Sequence, residues 1–181
     1  KSVETKGIKD NVEEIFKKIK EIDIVLKRLE EDLSESLKTY NEKSLVWIEP
    51  IISSKREIPS NPNKNEENRI DIKSIIEKPN NIIIKAPSEF GLTSLAHHLK
   101  LNAWKAGKTF VYIDAKKTKK HKILKDILNE VQNYYYKTID NIDCILLDSV
   151  CLEENGVMQM IKNICEVCQN IPLIIFNTID N

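Results

Sequence analysis

Lys85-Ala86-Pro87-Ser88-Glu89-Phe90-Gly91-Leu92-Thr93-Ser94 is the stretch on which the fold turns. It follows the apolar run Ile82-Ile83-Ile84, which lacks alternation and so reads as a strand covered on both faces. It leads into a helical pattern over residues 93–106, with Gly107 placed as a C-terminal cap. A strand-to-helix turn spaced Gly-x-x-x-x-Gly-Lys-Ser/Thr can wrap phosphate, because backbone N–H groups and the helix N-terminus converge on the anion. Here Gly91 fills the second glycine position and Thr93 the hydroxyl position, whereas Ala86 replaces the first glycine and Leu92 the lysine. The residues expected around a phosphate are Ala86, Glu89, Phe90, Gly91, Leu92, Thr93 and Ser94.

Downstream the pattern continues as strand, helix, strand, helix, strand. The strands are expected at 82–85, 109–114, 143–148 and 172–177, and the helices at 93–106, 121–137 and 156–169. Intervening helices imply parallel connections, hence a three-layer α/β domain. The strand Cys144-Ile145-Leu146-Leu147-Asp148 ends in an acid able to hold Mg²⁺ together with Thr93.

With both elements in order, residues 70–181 resemble the P-loop NTPases, specifically the STAND class of signalling ATPases. The loop corresponds to a degenerate Walker A and the strand ending in Asp148 to Walker B. The resemblance implies an added strand beside the Walker A strand, ending in a polar sensor residue. Ile171-Pro172-Leu173-Ile174-Ile175-Phe176-Asn177 is similar to that strand, with Asn177 as the sensor. Trp47-Ile48-Glu49-Pro50 is similar to the lead-in of some bacterial STAND-like modules. ATP and Mg²⁺ are the implied cofactors. The implied role is a regulatory or assembly module of a larger bacterial signalling or antiviral-defence protein, with an effector domain elsewhere in the parent.

The departures bear on chemistry. A Walker lysine contacts the β- and γ-phosphates, and Leu92 offers neither charge nor donor. Losing a charge-assisted contact of roughly 1.5–3 kcal/mol weakens binding about ten- to over a hundred-fold. Ser149 and Val150 follow Asp148, so the adjacent glutamate that positions water is missing, with Glu153 and Glu154 the nearest acids. Alanine at 86 is nearly as small as glycine, and Lys85, one residue before it, reads as a strand-end lysine reaching solvent, with a charge supplied from a displaced position as the alternative. Hydrolysis is expected to be lost. Two readings of the loop remain: a structural relic serving as scaffold or partner-binding unit, or a cradle that still binds nucleotide or another anion weakly. An active ATP-hydrolysing switch with a rearranged loop is the competing class, and a purely structural oligomerisation module a third.

Before this domain, residues 5–43 read as one long helix within a segment 1–45. Ile8, Val12, Ile15, Ile19, Ile22, Leu26, Leu29 and Leu33 recur at alternating four and three. Phe16 and Val25 widen that seam at flanking positions, which fits a helical bundle, or packing against another part of the protein, as well as a coiled-coil homo-oligomer. Residues 46–70 are an extended lead-in and a polar loop at 53–68, and a short helix over 71–78 stops before Pro79.

The 181 residues carry 28 basic and 28 acidic side chains, which excludes a globally basic nucleic-acid binder and an acidic tail. Lys116, Lys117, Lys119, Lys120, His121, Lys122 and Lys125 still form a local run, expected as a solvated loop and helix start, with nucleic acid or phosphate as the alternative partner. No apolar run approaches the roughly 20 residues of a membrane span, so a cytoplasmic location is expected. The chain begins at Lys1 and ends after an apolar run, as a piece of a longer protein would, with the C-terminal part of the domain missing. Cys144, Cys151, Cys165 and Cys168 are expected to be buried reduced thiols, since Cys165-x-x-Cys168 has no second ligand pair. His97 and His98 are adjacent, not at ligand spacing, and read as ordinary helix residues. Trp104 reads as packing, and of Tyr134-Tyr135-Tyr136 one or two should be buried.

Overall fold

The computed structural model describes residues 2–38, 47–55 and 68–179. Helix α1 spans Ser2–Lys38 among the described residues, and residues 39–46, into which the pattern carries the helix as far as 43, lie outside them. Strands β1 (Ile52–Ser53) and β2 (Arg69–Ile70) pair antiparallel, so the two ends of the expected polar loop are held together; residues 56–67 are not among those described. Helix α2 (Ile72–Glu77) starts on Asp71, whose carboxylate accepts the Lys73 N–H at 3.0 Å, and stops ahead of Pro79.

The main sheet consists of β3 (Ile82–Pro87), β4 (Phe110–Asp114), β5 (Cys144–Val150) and β6 (Leu173–Ile179). The helices between them are α3 (Leu92–Lys105), α4 (Ile123–Tyr135) and α5 (Val157–Val167). Strand order is β3-β6-β5-β4 and every pairing is parallel. The last strand is thus inserted between the first and third, beside β3, as the resemblance implies. This is a parallel four-stranded α/β sheet preceded by a long helix.

Chain direction explains the layers. The connection from β3 to β4 crosses the whole sheet one way, and the steps from β4 to β5 and β6 return the other way. Right-handed crossovers therefore place α3 on one face and α4 and α5 on the opposite one. The two apolar clusters follow strand alternation. Phe110, Leu146, Ile174 and Phe176 pack against α2 and α3, while Val111, Ile145, Leu147 and Ile175 pack against α4 and α5. Helix α3 ends in a Schellman motif: Gly107 has φ 78°, its N–H donates to Trp104 O at 2.9 Å, and Lys108 N–H donates to Ala103 O at 2.8 Å.

The second half of α1 belongs to this core. Val25 and Leu29 are fully buried, with Leu26 and Leu33 partly so. The helix runs antiparallel to α3, since Glu30, Asp32 and Ser36 meet Lys105, Lys100 and Ser94 in reverse order. Arg28 donates to the carbonyls of Asn133 and Tyr134 at the end of α4. Because α3 and α4 lie on opposite faces, α1 straddles the edge of the sheet at β4 and shields a strand edge that would otherwise be open. Val25 therefore widens the seam because it faces the chain's own core.

Candidate functional site

Strand β3 runs two residues further than the pattern suggests. Ala86 and Pro87 pair in register with Thr178 and Ile179, so Ala86 ends a strand and the turn begins beyond it. Proline is tolerated there because β3 is an edge strand. Phe90 N–H donates to Pro87 O at 3.4 Å, and Glu89 (φ 69°) and Gly91 (φ 77°) are both left-handed. Alternating handedness of this kind turns successive N–H groups toward one side, the geometry of an anion-binding concavity. At Gly91 a Cβ would meet nothing within 4 Å, so glycine is required for its backbone conformation and not for space. Gly91 caps α3 without a side-chain bond.

Leu92, the first helical residue, turns inward and packs against the cluster around Ile84, Leu146 and Phe176. The position that would carry a lysine over phosphate thus contributes to the core. Thr93 is exposed at the next position, yet its hydroxyl donates to Asp148 Oδ2 at 2.7 Å across 55 residues. Ser94 is buried, with its hydroxyl directed at Ser36 O in the last turn of α1 at 3.4 Å. Glu89 and Phe90 stand at the tip, with Phe90 71% exposed. Lys85 lies on the exposed part of β3, on the opposite side from Ile84 and hence from α3. It is not placed to replace the missing lysine.

Asp148 is 1% exposed and sits where the β5 register slips against β6, between Leu147 and Val150, with Ser149 left-handed at φ 58°. A bulge at this point re-aims the carboxylate. Its Oδ2 accepts a second hydroxyl, Tyr112 OH on β4, at 2.8 Å. Burial, followed by the negative charge of Asp148 and the hydrogen bond to it, raises the Tyr112 pKa far above that of free tyrosine, so the phenol stays a donor. Sequence reasoning did not find Tyr112. It sits opposite Leu146 on β4, and only the register β4 adopts against β5 brings its hydroxyl to the acid.

Asn177 does not join this cluster. Alternation from Phe176 turns it to the α4/α5 face, where it is buried and its Oδ1 accepts the Leu152 N–H at 3.1 Å. It therefore anchors the loop after β5. Among the described residues no group of three or more His, Cys, Asp or Glu side chains is arranged to hold a metal; Thr93 and Asp148 are the pair that would face Mg²⁺ beside a phosphate.

Behind the site lies a buried charge network. Lys100 is 1% exposed, its ammonium donates to Asp32 Oδ2 at 2.6 Å, and it lies over the rings of Tyr134 (4.6 Å) and Tyr112 (5.4 Å). Tyr134 OH donates to the same Asp32 oxygen at 2.7 Å. Burial holds the Lys100 pKa below the ordinary lysine value, with Asp32 opposing the shift. Burial raises Asp32, but the charge and hydrogen bond of Lys100 and the Tyr134 hydroxyl outweigh it, leaving its pKa below the ordinary carboxylate value. His97 lies tilted against Tyr112 with ring centroids 4.3 Å apart, and burial followed by the Lys100 charge depresses its pKa to about 4. The chain of contacts from Asp148 through Tyr112 and Lys100 to Asp32 links the candidate site to α1. His98 stacks on Trp47 of the lead-in at 4.0 Å.

The lysine run lies beyond the carboxyl end of β4, at the far edge of the sheet from the β3–α3 turn. Lys117 pairs with Asp114 at 3.6 Å and Lys120 with Glu154. A cavity of about 330 Å³ beside them is lined by Lys116, Lys120, Ser149, Cys151 and Glu154, among others. Two cysteines depart from expectation: Cys151 and Cys165 are exposed, because one follows the end of β5 and the other faces outward on α5, while Cys144 and Cys168 are buried. No described helix is long and apolar enough to cross a membrane.

No family model matches the chain, and no curated protein matches it. Among solved structures it is similar to AMPPCP-bound DnaA from Aquifex aeolicus, at 18% identity and a TM-score of 0.39, over 68% of this chain. The chain spans only 39% of that structure's length. At this level of likeness, neither the bound nucleotide nor the activity of DnaA passes to this chain.

Proposed function

We propose that the chain is a STAND-like regulatory and assembly module of a larger cytoplasmic signalling or defence protein, with an effector elsewhere in the parent. Its phosphate loop binds nucleotide weakly or not at all and does not hydrolyse it. The observation that carries this reading is Leu92, which packs into the core where a lysine would reach the β- and γ-phosphates. The acid that would hold Mg²⁺ accepts two protein hydroxyls, Thr93 and Tyr112.

Retained weak binding of Mg·ATP is the second reading, favoured by the left-handed Gly91 and by the juxtaposition of Thr93 and Asp148. Calorimetric titration with Mg·ATP into the millimolar range separates the two: saturable heat lost in Thr93→Val establishes the second. ATP turnover that disappears in Asp148→Ala would overturn the claim that the domain is catalytically silent. Assembly is assigned to α1, through another copy or another part of the parent. The lysine rim is a subsidiary candidate for nucleic acid, since Lys116, Lys119, Lys122 and Lys125 are exposed.

A further inference from the structure

Helix α1 is divided by its environment. From Val25 onward it packs on the core, whereas Val12, Ile15, Phe16, Ile19 and Ile22 are each between 43% and 61% exposed. A helical half with five open apolar side chains and no tertiary partner among the described residues is marginal in water. The assembly role proposed above leaves the occupant of this face open, and the following inference rests on that role.

We infer that this face pairs with the same face of a second copy of the chain, and that the two helices run antiparallel about a two-fold axis near residue 17. Three features of the helix carry it. First, the seam is self-complementary in that sense: Val12 lies level with Ile22 of the second copy and Ile15 with Ile19, giving four closed layers from four residues. Second, the seam cannot continue in parallel. Its next positions, Leu26 and Leu33, already pack on the chain's own core, so parallel helices would have to part after Ile22. An antiparallel partner instead leads its domain away past the N-terminus. Third, Phe16 occupies a flank where a parallel pair places charge, and it is 61% exposed. In the antiparallel pair that flank meets its own equivalent, which sets Phe16 against Phe16 across the axis. The buried area, on the order of 1,000 Å² in total, is at the low end for specific interfaces, so the dimer forms in a concentration-dependent way.

The test uses the whole chain with Cys151 and Cys165 changed to Ser, since both are exposed. Light scattering from low micromolar to near-millimolar concentration should show a monomer–dimer transition, weakened at least about thirtyfold by Ile19→Glu with an unchanged urea midpoint. Under mild oxidation Phe16→Cys should cross-link as a dimer and Ile15→Cys should not. Cross-linking of Ile15→Cys alone overturns the antiparallel geometry and leaves the assembly role intact. A monomer at every concentration overturns self-association itself. None of these outcomes depends on whether the loop binds nucleotide.

Discussion

Removing Asp32 should damage the fold far more than removing the lysine it pairs with. The Lys100 side chain is 1% exposed and its ammonium donates to Asp32 at 2.6 Å, whereas the Asp32 side chain is 33% exposed and also accepts Tyr134 OH at 2.7 Å. Asp32→Ala leaves a buried cation supported by aromatic faces and by the charge of Glu130. Breaking such a pair from one side costs about 3–5 kcal/mol; water admitted at the vacated carboxylate places the expected loss near the lower figure. Lys100→Met keeps the volume and removes the desolvated charge, leaving a carboxylate that water and Tyr134 can satisfy, so the loss should be about 1 kcal/mol or less. Urea unfolding followed by circular dichroism reads the difference. With a slope of about 1–3 kcal/mol per molar, Asp32→Ala should lower the midpoint by roughly 1–2 M and Lys100→Met by well under half of that. The Asp32→Ala deficit should also shrink from pH 7 to pH 9, by up to about 1.4 kcal/mol per unit, because the folded state can then hold the lysine neutral at lower cost. Equal midpoint shifts for the two variants, or a deficit that grows with pH, would refute the reasoning.

Three further outcomes are expected. Leu92→Lys should tighten Mg·ATP about ten- to over a hundredfold in calorimetry, at a packing cost of about 1 kcal/mol; no gain in a folded variant would mean that the turn does not admit phosphate. Tyr112→Phe and Thr93→Val should each lower stability by about 1–2 kcal/mol, because each removes a donor from the buried Asp148; a neutral effect for both would contradict the geometry at that oxygen. His97 is held at about 4 against roughly 6.5 in the unfolded chain, so its contribution is full above pH 6.5 and lost as pH falls toward 4. His97→Phe should flatten the urea midpoint between pH 7 and pH 4.5 relative to the parent, and an unchanged slope would remove His97 from the account.

Much of the fold was legible in local pattern. Each core strand and helix lies within a few residues of its expected place, since apolar runs bounded by turns leave little freedom in where a buried strand can begin. The strand endings were less clear: Ala86 and Pro87 read as loop residues because pairing with Thr178 and Ile179 leaves no mark on their own neighbourhood. The long heptad pattern likewise could not say which half of α1 faces the core, because Ile19 and Leu26 occupy equivalent positions in the repeat and differ only in what lies beside them.

Legible in the sequence were the turn with Gly91, Leu92 and Thr93 after the first core strand and the place of Asp148 on the third, although that strand runs on to Val150 instead of ending at the acid. These are statements about order and spacing along the chain, and periodicity carries them. Only the tertiary structure decided that Leu92 turns into the core, that Tyr112 joins Thr93 on Asp148, that Asn177 anchors a loop, and that Lys100 is buried against Asp32, 68 residues away. Those outcomes depend on strand register and on which helix covers which sheet edge. Both are set by the packing of distant segments, and no window of neighbouring residues encodes them.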